Sequence, residues 1–294
     1  MKAPLRQYTL VFLLFNFTLA LQAQTGSEIY LFDLKIKGEK IFLRHAQNVT
    51  RHPGYDNQPF FHPDKPFLFY ASADSAGRTD IVVYDYQKKT TEKITRTHER
   101  EYSPTLTPDK KFISCIIQRD NGAQDLGKYP LDGGAPAIII DTLIVGYHAW
   151  ADNSHVAVFT LPQPFKLHVI DVSTGGDTAV VENIGRALHK IPGGNAISFV
   201  QKLTDQEWQI NRLDLPSLKI SAITRSLPGK EPALAWTSDG RILTNDGQKF
   251  FFFVPGQGQS WIPVESDATW PPNSVTRMAV NARGDKLAVV VSEQ

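Results

Sequence analysis

A chain of 294 residues with 20 Gly, 19 Pro and 11% aromatic residues, and with no long amphipathic helical period, suits one closed all-β domain of strands and turns. A formal net charge of +1 argues against a dedicated nucleic-acid surface. One cysteine, Cys115, rules out an internal disulfide, so stability must come from the core and from the way the domain closes on itself.

Lys2 and Arg6 precede an apolar run over residues 8–21, which gives way to Gln22-Ala23-Gln24. The run is shorter than the ~20 residues of a spanning helix, and its basic flank and small-residue exit predict a secretory signal peptide over residues 1–23. No cysteine stands at the cleavage point, so no lipid anchor is expected. The mature chain, residues 24–294, is expected as a single domain in a bacterial periplasm or outside the cell, with no membrane span.

Residues 28–34 and 40–43 read as two strands around a Lys37-Gly38-Glu39 turn, the last two of a blade whose first two are missing. The next stretch, residues 57–95, is a complete unit. A short strand ends in Phe61-His62-Pro63-Asp64-Lys65, an apolar strand follows over residues 67–72, a Gly-containing hairpin reverses the chain, and Asp80-Ile81-Val82-Val83-Tyr84-Asp85 makes a third strand. Such a unit cannot bury both faces alone, so copies of it must stack. Thr107-Pro108-Asp109 repeats its turn after about 45 residues, Trp150-Ala151-Asp152-Asn153 repeats it again, and a degenerate copy follows at Ile191-Pro192-Gly193-Gly194. Trp236-Thr237-Ser238-Asp239-Gly240 is a plainer fifth copy, and strands at residues 275–280 and 286–291 supply the pair missing at the start. The pattern predicts an all-β six-bladed β-propeller of four-stranded blades, the last blade closed by N- and C-terminal strands.

The pattern resembles the TolB-like propeller repeat, in which a Pro-Asp-Gly-Lys turn joins two strands and Asp-Ile-Tyr opens a third; here these are Pro63-Asp64-Lys65-Pro66, without the glycine, and Asp80-Ile81-Val82. The resemblance covers nearly the whole mature chain and implies a binding scaffold for protein partners or envelope polymers such as polysaccharide. The family namesake carries an additional N-terminal domain, and none is expected here, since only residues 24–27 stand between the predicted cleavage point and the first blade. A related family, the oligogalacturonate lyases, holds manganese on histidines from several blades, which implies a second reading as a metal-dependent carbohydrate lyase or hydrolase.

The recurring aspartates Asp64, Asp109, Asp152, Asp239 and Asp285 are expected to fix turns, since Asp accepts backbone amides two residues on. His62, His148 and His189 fall in or beside the first strands of blades one, three and four, the strands that line a propeller channel. They are therefore the metal-ligand candidates, for a divalent cation, because neutral imidazoles from different blades can converge on one ion. Tyr147, Arg186 and Lys190, beside those histidines, join them as ligand-binding candidates, and Tyr55 and Tyr102 join them as recognition residues, because aromatic bodies with polar tips combine contact area with orientation. No Gly-x-Ser-x-Gly elbow, Walker loop, dinucleotide turn or His-Glu-x-x-His motif is present, so chemistry, if any, belongs to the channel. Cys115, inside an apolar strand, is expected to be a buried inert thiol.

Overall fold

The computed structural model describes residues 26–258, 260–267 and 275–293; the predicted signal peptide lies outside them. Every regular element among these residues is a strand. After β1 (Ser27–Lys37) and β2 (Lys40–Asn48), the first complete blade is β3 (Asp56–Phe61), β4 (Phe67–Ala73), β5 (Thr79–Asp85) and β6 (Thr90–Lys93). Blade two is β7 (Arg100–Leu106), β8 (Phe112–Gln118), β9 (Gln124–Pro130) and β10 (Ala137–Ile140), and blade three is β11 (Ile144–Trp150), β12 (His155–Leu161), β13 (Lys166–Asp171) and β14 (Gly176–Glu182). Blade four is β15 (Ile184–Lys190), β16 (Ala196–Lys202), β17 (Trp208–Asp214) and β18 (Lys219–Arg225). Blade five, β19 (Ala235–Trp236), β20 (Ile242–Asn245), β21 (Phe250–Phe253) and β22 (Ile262–Pro263), is the thinnest, and Pro232 has no N–H to extend its first strand.

The sixth blade joins the chain ends as expected. Its order is β24 (Val275–Val280), β25 (Lys286–Ser292), β1, β2, with Ile29 opposite Val290 and Phe32 opposite Leu287. A fifth strand that the sequence did not announce, β23 (Glu265–Ser266), runs parallel to β2, with Phe42 opposite Glu265. Closing the ring in this way pairs edges that an open array would leave exposed.

Each blade is apolar on both faces because it packs against a neighbour on each side. Alternation along β1 shows how: Ile29 and Leu31 pack with Leu68, Tyr70 and Val82 of blade one, while Phe32 and Leu34 pack with Leu243, Phe250 and Phe252 of blade five. The remaining four interfaces repeat the scheme, as where Phe159 of blade three meets Phe199 of blade four. Cys115 is fully buried between blades one and two, and burial pushes its thiol well above the usual range, as an inert thiol requires.

The first strand of each blade faces the axis, and in five of the six its regularity is broken in the same half. Pairing registers shift between Asn57 and Phe60, Tyr102 and Thr105, Val145 and Tyr147, Ile184 and Leu188, and Val275 and Arg277. A bulge places two residues against one and re-aims side chains, here towards the channel. Gln58 and Ser103 adopt φ of 56° and 54°, conformations unfavourable for residues with a Cβ. Both are held by side-chain acceptors: Gln58 N donates to Asn57 Oδ1 (2.8 Å) and Ser103 N to Gln58 Oε1 (3.2 Å), the second bond joining blades one and two.

Candidate functional site: the two ends of the channel

The inner strands all run from one face of the ring to the other; five of them have a bulged starting half, blade five has only the short β19 there, and each has a turn at its far end. The turns decide the fate of His62. Its position is equivalent to Thr107, Thr237 and Asn281, and each of these accepts turn amides: Phe112 N donates to Thr107 Oγ1 (3.2 Å), Arg241 N to Thr237 Oγ1 (2.9 Å), and Asp285 N and Lys286 N to Asn281 Oδ1 (3.0 Å each). His62 Nδ1 does the same work, accepting Asp64 N (3.0 Å) and Lys65 N (3.1 Å). Burial, with Lys65 nearby, holds its imidazole below the usual range, which keeps that lone pair available.

The turn aspartates are structural, as their spacing suggested. Asp152 Oδ1 accepts Ser154 N and His155 N (2.8 Å each), Asp109 Oδ1 accepts Lys111 N (3.2 Å), Asp239 accepts Thr237 Oγ1 and Asp285 accepts Asn281 Nδ2. Asp64 departs from the rule. With His62 capping its turn, its carboxylate is left to accept Lys110 Nζ of the next blade at 2.5 Å. Lys190 is also a blade-to-blade tie, donating from Nζ to the Ala151 carbonyl.

His148 is buried in the channel wall. Ser114 Oγ donates to Thr105 O (2.8 Å) and accepts Trp150 Nε1 (2.9 Å), so its proton is spent and the 2.8 Å contact with His148 Nε2 must be donated by the imidazole. The ring is therefore neutral with a bare Nδ1, which is closed to solvent and has no partner among the described residues. Burial lowers its pKa to about 3. The Ser–Trp bond recurs between blades four and five, where Trp236 Nε1 donates to Ser198 Oγ at 2.7 Å.

A central cavity of about 480 Å³ is lined by residues from the inner edges of all six blades, including Gln58, Pro104, His148, His189, Glu231 and Arg277. Burial, reinforced by the charge of Arg277, lowers the pKa of His189 to about 4. The three histidines proposed for a metal are thus not brought together: His62 caps a turn, His148 offers no accessible lone pair, and only His189 opens to the cavity with both chemistry and space. Among the described residues, no three His, Cys, Asp or Glu side chains are grouped to hold a metal ion. The donor set does not fit the divalent cation implied by the lyase resemblance.

The bulged ends carry the distinctive chemistry. Arg277, on blade six, reaches across the channel to blade three: Nη2 donates to Tyr147 Oη at 2.8 Å, with the guanidinium 5.1 Å from the ring centroid. Arg186, on blade four, brings a second guanidinium to the same phenol. Burial alone would raise the Tyr147 pKa, but the two guanidiniums outweigh it and hold the phenol below its usual range. Arg186 pairs with Glu231, whose carboxylate lies 3.4 Å from Nε and also accepts Arg186 N. Arg277 has no carboxylate partner among the described residues; its other bond is from Nη1 to Thr276 O at 2.7 Å.

Tyr55 and Tyr102 meet edge to face at 6.0 Å beside this cluster. They border a second chamber of about 300 Å³, lined by blades one to four and sharing Gln58, Tyr147 and Arg186 with the central cavity. The sequence thus pointed to Tyr55, Tyr102, Tyr147 and Arg186, which do converge. It missed Arg277, Gln58 and Glu231. A charged residue within a strand predicted to line the channel was the available signal for Arg277.

No model of a protein family and no curated protein matches the chain. Solved structures do. A putative TolB from Agrobacterium tumefaciens superposes with a TM-score of 0.68 at 17% identity, over 92% of this chain and 100% of that one. TolB from Acinetobacter baumannii gives 0.56 at 13% identity, over 92% of this chain and 64% of that one. An oligogalacturonate lyase in complex with manganese gives 0.57 at 15% identity, over 87% and 83%. The chain has the TolB-like six-bladed propeller fold.

Proposed function

We propose that this propeller is a secreted or periplasmic binding scaffold, without catalysis of its own, whose bulged channel mouth recognises anionic groups on a protein partner or an envelope polymer. The reading rests on one observation above the others. Two guanidiniums from different blades converge on a single phenol, and one of them, Arg277, has no carboxylate to neutralise it among the described residues. In a chain of nearly balanced charge, such a cluster within a cavity attracts anions and orients them. A rigid ring pre-orders the recognition surface, so little ordering entropy is lost on binding.

The likeness to TolB proteins supports the scaffold part of this reading through the fold. The likeness to a manganese-bound oligogalacturonate lyase motivates the metal-dependent alternative, but the histidines here do not favour it. Glu231, the carboxylate lining the central cavity, is engaged by Arg186 and is a poor candidate for a free general base.

The test is photocrosslinking from position 55, at the mouth, in cells expressing the full chain, with and without Arg277→Glu. A discrete adduct that the charge reversal abolishes is expected. An adduct pattern indifferent to Arg277, or none, would sink the mouth as the recognition site. Mass spectrometry of the protein from a periplasmic or culture fraction should find an N-terminus just after Ala23; intact chain retained in the cytoplasm would overturn the export reading.

A further inference from the structure

The second chamber and the guanidinium pair differ in chemistry but touch at Tyr147 and Arg186. The chamber walls are apolar and aromatic where Tyr55, Phe159, Leu161 and Phe165 line them, with the Phe159 and Phe165 rings tilted 40° to one another at a centroid distance of 4.7 Å. Three amides also face it: Gln118 Nε2 donates to Gln124 Oε1 (2.7 Å) and Ser103 N donates to Gln58 Oε1, which leaves the NH₂ groups of Gln58 and Gln124 without a partner among the described residues. A slot with one aromatic and aliphatic wall and one wall of amides, ending at a pair of cations, is the complement of a molecule with a flat apolar body, a polar substituent and an anionic head. At about 300 Å³ the slot stands at the small end of the range for ligand pockets, which suits one ring better than a polymer thread.

We propose that the junction of the two chambers binds a small aryl-type carboxylic acid, its carboxylate on Arg277 and Arg186 and its ring in the slot between Tyr55 and Phe165. The proposal rests on reading the mouth as an anion site and goes beyond it in naming a small ligand. A planar carboxylate matches the fork of a guanidinium: Arg277 offers one with no carboxylate partner among the described residues, and Arg186, already paired with Glu231, adds a second positive charge from another blade. Tyr147 holds Arg277 in the absence of a ligand, so the incoming carboxylate competes with the phenol oxygen for the same donors.

The test is isothermal titration calorimetry of the mature chain with 4-hydroxycinnamate, its primary amide, acetate, tri-galacturonate and an aspartate-rich peptide. Saturable binding of 4-hydroxycinnamate is expected, with the amide and acetate each at least about tenfold weaker. Arg277→Gln should weaken the acid about tenfold or more, Arg277→Lys less, and Phe165→Ser should also weaken it. Tyr147→Phe should tighten it about threefold by freeing Arg277, a sign that a merely structural tyrosine would not produce. Equal affinity for acid and amide, or for 4-hydroxycinnamate and acetate, overturns the proposal. If tri-galacturonate or the peptide binds in an Arg277-dependent way while the aryl acid does not, the small-ligand assignment falls and the anion-binding mouth stands. If none of the five binds, the anion-binding mouth falls with it.

Discussion

The two ends of the inner strands are built from similar residue types and do different work. At the turn end, His62, Thr107, Thr237 and Asn281 hold backbone amides, aspartates fix the reversals, and Lys110 and Lys190 tie one blade to the next. At the bulged end, Arg277 bonds Tyr147 across the channel, Arg186 brings a second guanidinium to the same phenol, and Tyr55 meets Tyr102 edge to face beside them. A polar residue whose bonds go to turn amides or tie neighbouring blades supports the ring, whereas Arg277, a cation with no carboxylate partner among the described residues, keeps charge available to a ligand. Residue identity alone does not separate the cases, since histidine occurs at the turn in blade one and in the channel wall in blades three and four.

Four changes press on that contrast. The largest effect should come from the framework. Ser114→Ala strips the acceptor from both Trp150 Nε1 and His148 Nε2, two buried donors, and should cost about 2–4 kcal/mol in urea unfolding. A loss below about 1 kcal/mol would mean the Ser–Trp–His contact is dispensable.

Acid should act next, also through the channel wall. His148 and His189 are neutral when folded because burial lowers both pKa values, to about 3 and about 4, whereas in the unfolded chain each takes a proton near 6.5. Their stabilising contribution is complete above pH 6.5 and is lost as the pH falls from there, through about 4 for His189 and about 3 for His148. The urea midpoint should drop over that interval, and drop less steeply in His189→Gln. A flat profile in the wild type would contradict the buried neutral assignment.

At the turn, His62→Ala should cost about 1 kcal/mol by leaving the amides of Asp64 and Lys65 to solvent, and His62→Asn should recover most of it, as Asn281 does in blade six. Neither change should alter ligand binding at the mouth, and a binding defect in His62→Asn would undo the division between the two ends. The smallest effect on stability is expected from Arg277→Gln, under about 1 kcal/mol, because the residue is half-exposed and its partner is a phenol. Its signature is spectroscopic: one tyrosine that ionises below the usual range in the wild type, followed by ultraviolet absorbance, should move upwards. An unchanged titration would show that Arg277 does not govern Tyr147.

Much of the ring was legible in the sequence, for a local reason. Turn chemistry at Pro63-Asp64, Pro108-Asp109 and Ser238-Asp239, and two-residue alternation in strands such as β4 and β25, act over a few residues and repeat at one blade length. Even the split closing blade could be read, because its halves are incomplete in complementary ways. Strand β23 could not be, since two residues laid beside β2 carry no periodic signal of their own. The site was half legible. Tyr147 and Arg186 stood out beside histidines, but the same histidines drew attention to a metal centre that does not assemble, because equal distance from a turn was needed for them to converge and they lack it.

What the sequence determined by itself was the blade and its count: short-range preferences for turns and alternating strands, repeated until six units exhaust the chain. Only the tertiary structure decided which polar residues meet. Arg277 and Tyr147 are 130 positions apart and share no local pattern. They touch because ring closure sets blade six opposite blade three, and because bulges in β11 and β24 turn both side chains towards the axis. That is a consequence of how many blades close and where each strand loses its register, and no window of sequence contains it.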